Sequence, residues 1–103
     1  MDNAFEINVM RDSAESVVTI LKSLANTDRL LILCHLVQEE LNVSQIEDKT
    51  KITQPTLSQQ LMMLRKSDVV NTRRDGKQIF YSIKDQKLAT VLNTLYELYC
   101  PTP

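Results

Sequence analysis

The chain has 103 residues, 43% hydrophobic and 24% charged, which is one globular domain's worth and far from the composition of a disordered segment. It has no apolar run long enough to span a bilayer, and its start, MDNAFEINVMRD, lacks the basic and apolar regions of a secretory signal, so a cytoplasmic protein is expected. The net charge of −1 hides a division: residues 1–48 hold 3 basic and 9 acidic side chains, whereas residues 49–87 hold 9 basic and 3 acidic ones.

Taken in chain order, Ala14, Val17, Val18, Leu21 and Leu24 recur at helical spacing and predict a first amphipathic helix. Asn26-Thr27-Asp28 offers N-cap oxygens for a second helix. Its body, Leu30 to Val37, is apolar nearly all round, which places it at the centre of the fold. Ser44-Gln45-Ile46-Glu47 reads as a capping box opening a short third helix that ends near Thr50. After a tight Lys51-Ile52 turn, Thr53 is expected to cap a fourth helix, with Pro55 in its first turn and Leu57, Leu61 and Leu64 facing inward. Val69 to Arg73 and Gln78 to Ile83 flank Asp75-Gly76, a signal for a tight hairpin because glycine adopts positive φ without steric cost. A last helix runs from about Asp85 with Leu88, Val91, Leu92, Leu95, Leu98 and Tyr99 on one broad face, and Pro101 stops it.

The predicted fold is mainly α with a small β-hairpin, in the order α-α-α-α-β-β-α, one domain over residues 1–103. Two short helices and a hairpin make a winged helix-turn-helix, whose second helix reads base edges in the major groove. Gln54, Thr56, Ser58, Gln59, Gln60 and Met63 face outward on that helix. Glutamine pairs with adenine, and serine or threonine bond base edges or phosphates. Arg65 and Lys66 at the helix end, and Arg73, Arg74 and Lys77 on the ribbon, supply a sequence-independent phosphate term. A polar helix face is by itself only a solvated face. The conjunction with the basic segment and the charged hairpin is what points to double-stranded DNA.

Leu24 to Leu33, Thr53 to Leu61, Leu64-Arg65 and Arg73 to Ile83 together resemble the ArsR/SmtB repressors, and the resemblance covers roughly residues 15–100. It implies a homodimer built from the first and last helices, through Val17, Leu21, Val91, Leu95 and Leu98, that releases operator DNA when an effector binds. It also implies DNA contacts from Gln54, Thr56, Ser58 and Gln59, with Arg73, Arg74 and Lys77 on the wing. The sequence departs from the family in four places, one being that its last helix lacks the histidines of the zinc-sensing branch. Gln60 stands where many members carry histidine, and Asp68 replaces a common glycine. The metal-binding cysteine pair of the third helix is absent from Val43 to Thr50.

Cys34 and Cys100 have bland readings, a small buried hydrophobe and an idle thiol near a terminus, and reducing cytosol argues against a permanent disulfide between them. Their settings, Leu33-Cys34-His35-Leu36 and Leu98-Tyr99-Cys100-Pro101, resemble the BigR/SqrR/HlyU-like dithiol subgroup. That resemblance implies sensing of persulfide or other reactive sulfur species through this pair, which would be converted to a disulfide or polysulfide bridge with release of operator DNA. The alternatives are a general peroxide or redox switch, a metal-responsive regulator using Cys34, Cys100 and His35, or a winged-helix protein-interaction module. The ligand set is poor for zinc, which favours four close-packed donors. No metal, cofactor or enzymatic activity is expected, because the chain has one histidine and no phosphate-binding glycine loop.

Overall fold

The helix that is apolar nearly all round takes the centre. In the computed structural model, which describes residues 6–100, it is α2 (Thr27–Gln38), preceded by α1 (Ile7–Leu24). β1 (Leu41–Asn42), α3 (Val43–Thr50), α4 (Thr56–Lys66), β2 (Val70–Asp75), β3 (Gln78–Ile83) and α5 (Gln86–Tyr99) follow. Ile32, Leu33 and Leu36 of α2 share one buried core with Ile46 of α3, Leu57, Leu61 and Leu64 of α4, and Leu88 and Leu92 of α5. Asn26 caps α2 as its position suggests, its Oδ1 accepting from the Arg29 N–H at 3.0 Å.

The winged helix-turn-helix order is borne out, with one strand added. β1, only two residues long, pairs antiparallel with β3, with Leu41 opposite Tyr81. The sheet order is therefore β1-β3-β2. A two-residue strand carries no readable alternation, so nothing local announces it. Its presence also moves the cap of α3. The box is formed by Asn42 and Gln45, not by Ser44 and Glu47. Asn42 Oδ1 accepts from the Gln45 N–H and Gln45 Oε1 from the Asn42 N–H, both at 2.8 Å.

The start of α4 also differs from expectation. Pro55 occupies the N-cap and Thr53 does not cap with its side chain. Instead the Thr53 carbonyl accepts from the Leu57 N–H at 3.0 Å, and Gln54 Oε1 accepts from the Ser58 N–H at 3.0 Å and its hydroxyl at 2.7 Å. Three left-handed residues set the turns. Lys51 (φ 62°) joins α3 to α4, Asp68 (φ 60°) precedes the wing, and Gly76 (φ 64°) forms its tip. Aspartate is among the few side chains that tolerate this region, which is how Asp68 stands in for glycine.

The outer helices are poorly covered by their own chain. On α1 only Ser23 and Leu24 are buried, while Val17, Val18 and Leu21 are about half exposed. On α5, Val91, Leu98 and Tyr99 are exposed and Leu95 is half-buried. α5 ends at Tyr99, and Pro101, the expected stop, lies outside the described residues.

Candidate nucleic-acid interface and dithiol pair

α4 buries Leu57, Leu61 and Leu64 and so turns its polar side out. Ser58, Gln59, Met63, Arg65 and Lys66 are exposed there, as is Gln54 just before the helix, while Thr56 and Gln60 are half-buried. Gln54 and Ser58 hold each other through the bonds at the start of α4, which leaves the Gln54 amide N–H2 as the group it presents outward. Between α4 and β3 runs a cleft of about 470 Å³ bordered by Ser58, Met62, Arg65 and Lys66. Arg74 and Lys77 are exposed on the wing.

Arg73 differs from the expectation of a free wing cation. Its Nε and Nη2 donate to both carboxylate oxygens of Glu40, at 3.1 and 2.7 Å, and its guanidinium lies 4.6 Å over the Phe80 ring. The hydrogen bond from Arg73 holds the Glu40 carboxyl below its ordinary range. Glu40 lies in the link between α2 and β1, so this fork ties the middle of wing strand β2 to the segment that follows α2.

Gln60 also has an internal partner. Its Oε1 accepts from Arg29 Nη1 at 3.0 Å. Neither Arg29 nor Glu40 stands out in the sequence, because their partners lie 31 and 33 positions away.

Cys34 is half-buried on α2 and Cys100 is exposed just past the end of α5, where its N–H donates to the Tyr96 carbonyl at 2.9 Å. A shallow groove of about 160 Å³ opens beside Cys34, walled by Val37 and Gln38 of α2 and Leu92, Asn93 and Tyr96 of α5. Burial pushes the Cys34 thiol above its ordinary value, and the charge of Cys100 adds to the rise. Among the described residues, no three histidine, cysteine, aspartate or glutamate side chains are grouped to hold a metal ion. No described helix is long and apolar enough to cross a membrane.

A winged helix-turn-helix with a polar reading helix and a basic wing defines a DNA-binding regulator rather than an enzyme. Residues 26–72 match the family described as bacterial regulatory protein, arsR family. A relative from Agrobacterium fabrum (strain C58), the biofilm growth-associated repressor, is 45% identical over 91 residues, covering 88% of this chain and 78% of that one. The crystal structure of the transcriptional repressor BigR from Xylella fastidiosa superposes with a TM-score of 0.85 at 42% identity, covering 95% of this chain and 100% of that one. Reduced HlyU from Vibrio cholerae superposes at 0.84 with 35% identity, covering 89% and 97%. The chain belongs to the ArsR family of bacterial regulatory proteins, and its likeness to BigR and HlyU bears out the subgroup that its cysteine settings resemble.

Proposed function

We propose that this protein is a homodimeric, cytoplasmic repressor that releases operator DNA when Cys34 and Cys100 become linked in response to persulfide. The observation that carries the reading is the placement of the two thiols, Cys34 half-buried on α2 beside the α2–α5 groove and Cys100 exposed just past the end of α5. The dimer is supported by the uncovered apolar faces of α1 and α5, where Val17, Leu21, Val91 and Leu98 are 43–70% exposed. Pairing these faces gains the core that a small domain lacks. The DNA contacts are assigned to Gln54, Thr56, Ser58 and Gln59 of the reading segment, with Arg65, Lys66, Arg74 and Lys77 on phosphates. The likeness to a solved structure named as a transcriptional repressor supports the repressor reading.

The chemistry balances with persulfide as the oxidant. Cys34 is half-buried with its thiol pushed up by burial, whereas Cys100 is exposed, so the more accessible Cys100 loses its proton and attacks first. It takes the sulfane sulfur of a low-molecular-weight persulfide and releases the parent thiolate, leaving a persulfide on Cys100. Cys34 then gives up its proton and attacks the inner sulfur, forming the S–S bond and expelling HS⁻. The two protein thiols lose two electrons and the sulfane sulfur gains them. The bridge ties α2 to α5 and so alters the α5 face that meets the second protomer, changing the spacing of the reading helices.

The test combines intact mass spectrometry with binding to a duplex selected from a randomised pool. Reduced protein is treated in parallel with glutathione persulfide, glutathione disulfide and peroxide. A Cys34–Cys100 link formed by persulfide, with loss of DNA in wild type and retention in Cys34→Ser, is the expected result. Release from Cys34→Ser protein would refute the switch. An identical link and release with all three oxidants would instead identify a general redox regulator.

A further inference from the structure

Arg29 joins three helices. Its N–H bonds the Asn26 cap of α2, and its Nε and Nη2 donate to the Ser23 and Lys22 carbonyls at 2.8 and 3.0 Å. Those carbonyls belong to the last turn of α1, where carbonyls lack helical partners and carry the negative end of the dipole, so a guanidinium suits them. The remaining arm reaches Gln60 in the middle of α4. Both side chains are half-buried, where water competes less for the bond. Ser23 and Leu24, at this same corner, are the only buried residues of α1.

We propose that Arg29 and Gln60 form a strut that sets the angle between the dimerisation helix α1 and the reading helix α4, so that Gln60 is a positioning residue rather than a reader of a base. The proposal rests on the dimeric, DNA-binding reading above. A dimer must hold its two reading helices about one DNA turn apart, and the tilt of α1 decides that separation. The Gln60 carbonyl oxygen accepts from Arg29, which uses one of its two lone pairs and holds the amide toward α2 rather than in the free paired donor–acceptor pose that adenine recognition uses. The strut therefore selects half-site spacing, while base identity is left to Gln54, Thr56, Ser58 and Gln59.

The test compares wild type with Gln60→Glu and Gln60→Leu on duplexes selected by the wild-type protein, with half-site spacing varied by single base pairs and each base varied in turn. Gln60→Glu keeps an acceptor for Arg29 and should retain both the spacing preference and the base profile. Gln60→Leu should keep the base profile but lose about tenfold in spacing discrimination, the effect of one hydrogen bond to a charged group. A shift from A·T to C·G at one position in Gln60→Glu, with spacing preference intact, would overturn the strut and make Gln60 a base reader. Wild-type behaviour in both variants would overturn it as well. If Gln60→Leu does not fold, the Gln60→Glu base profile alone decides. A wild type that scatters light as a monomer would refute the dimer, and that same profile would still separate the two roles.

Discussion

Replacing Glu40 with glutamine should make DNA binding more sensitive to salt, because it frees a cation that the fold now holds. Nine cations lie between Lys49 and Lys87. Lys49, Lys51, Arg73 and Lys84 are each paired with a carboxylate, at 3.5, 3.6, 2.7 and 2.6 Å. Of those with no such pair among the described residues, Arg65, Lys66, Arg74 and Lys77 lie on the reading helix and the wing. Four phosphate contacts per protomer make eight per dimer, which predicts a slope of log affinity against log salt of about −7. Adding Arg73 from each protomer steepens the slope to about −9. Between roughly 50 and 200 mM salt the wild type should then lose about 10⁴-fold in affinity, and Glu40→Gln about ten times more.

Fluorescence anisotropy titrations of a selected duplex across that salt range measure both slopes, and the double variant Glu40→Gln/Arg73→Gln should return to about −7. An unchanged slope in Glu40→Gln would refute the reasoning. So would a wild-type slope near −9 that falls in Arg73→Gln alone, since Arg73 would then be leaving Glu40 for phosphate. The same pair has a pH signature. Arg73 holds Glu40 below the ordinary 4.5, so the pair's contribution to folding is present above that value and is lost as pH falls through the depressed one. Thermal unfolding of wild type and Glu40→Gln should differ at neutral pH and converge in acid.

Three further outcomes are expected. In Cys100→Ser protein, iodoacetamide alkylation of Cys34 should have its pH midpoint above 9.0, because burial, the larger cause of the rise, survives while the Cys100 charge is gone; a midpoint below 9.0 would contradict it. A Cys34–Cys100 bridge closes a loop between positions 66 apart and should stabilise the protein by up to about 4 kcal/mol against guanidinium at fixed protomer concentration. A full gain with unchanged DNA affinity would show that the bridge fits the DNA-binding form and is not the release switch. Leu21 is 53% exposed, so pairing buries about 1 kcal/mol of apolar side chain per copy. Leu21→Glu should therefore fold normally yet weaken dimerisation by about 30-fold or more in sedimentation equilibrium; an unchanged association constant would place the interface elsewhere.

What could be read from the sequence follows from the range of the interactions involved. The α4 stripe of Leu57, Leu61 and Leu64, the Asn26 cap and the Gly76 turn are each decided within a few residues, and each is found where the pattern put it. The cap of α3 was ambiguous locally, since Asn42-x-x-Gln45 and Ser44-x-x-Glu47 satisfy the same rule two residues apart. The ladder between β1 and β3 and the Asn42 bond to Gln78 at 2.9 Å favour the earlier one, and both partners come from the far side of the chain. Charge counting met the same limit. The excess of six positive charges in residues 49–87 is real, yet four of the nine cations there are held by carboxylates, and three of those carboxylates, Glu39, Glu40 and Asp48, lie outside the segment. Arg29, outside the basic segment, ties three helices together. Sequence composition thus marks out a basic segment, but which of its side chains are free and which hold the frame depends on partners that only the fold brings together. Replacing Glu40 or Gln60 separates these roles, the first through the salt slope of DNA binding and the second through half-site spacing.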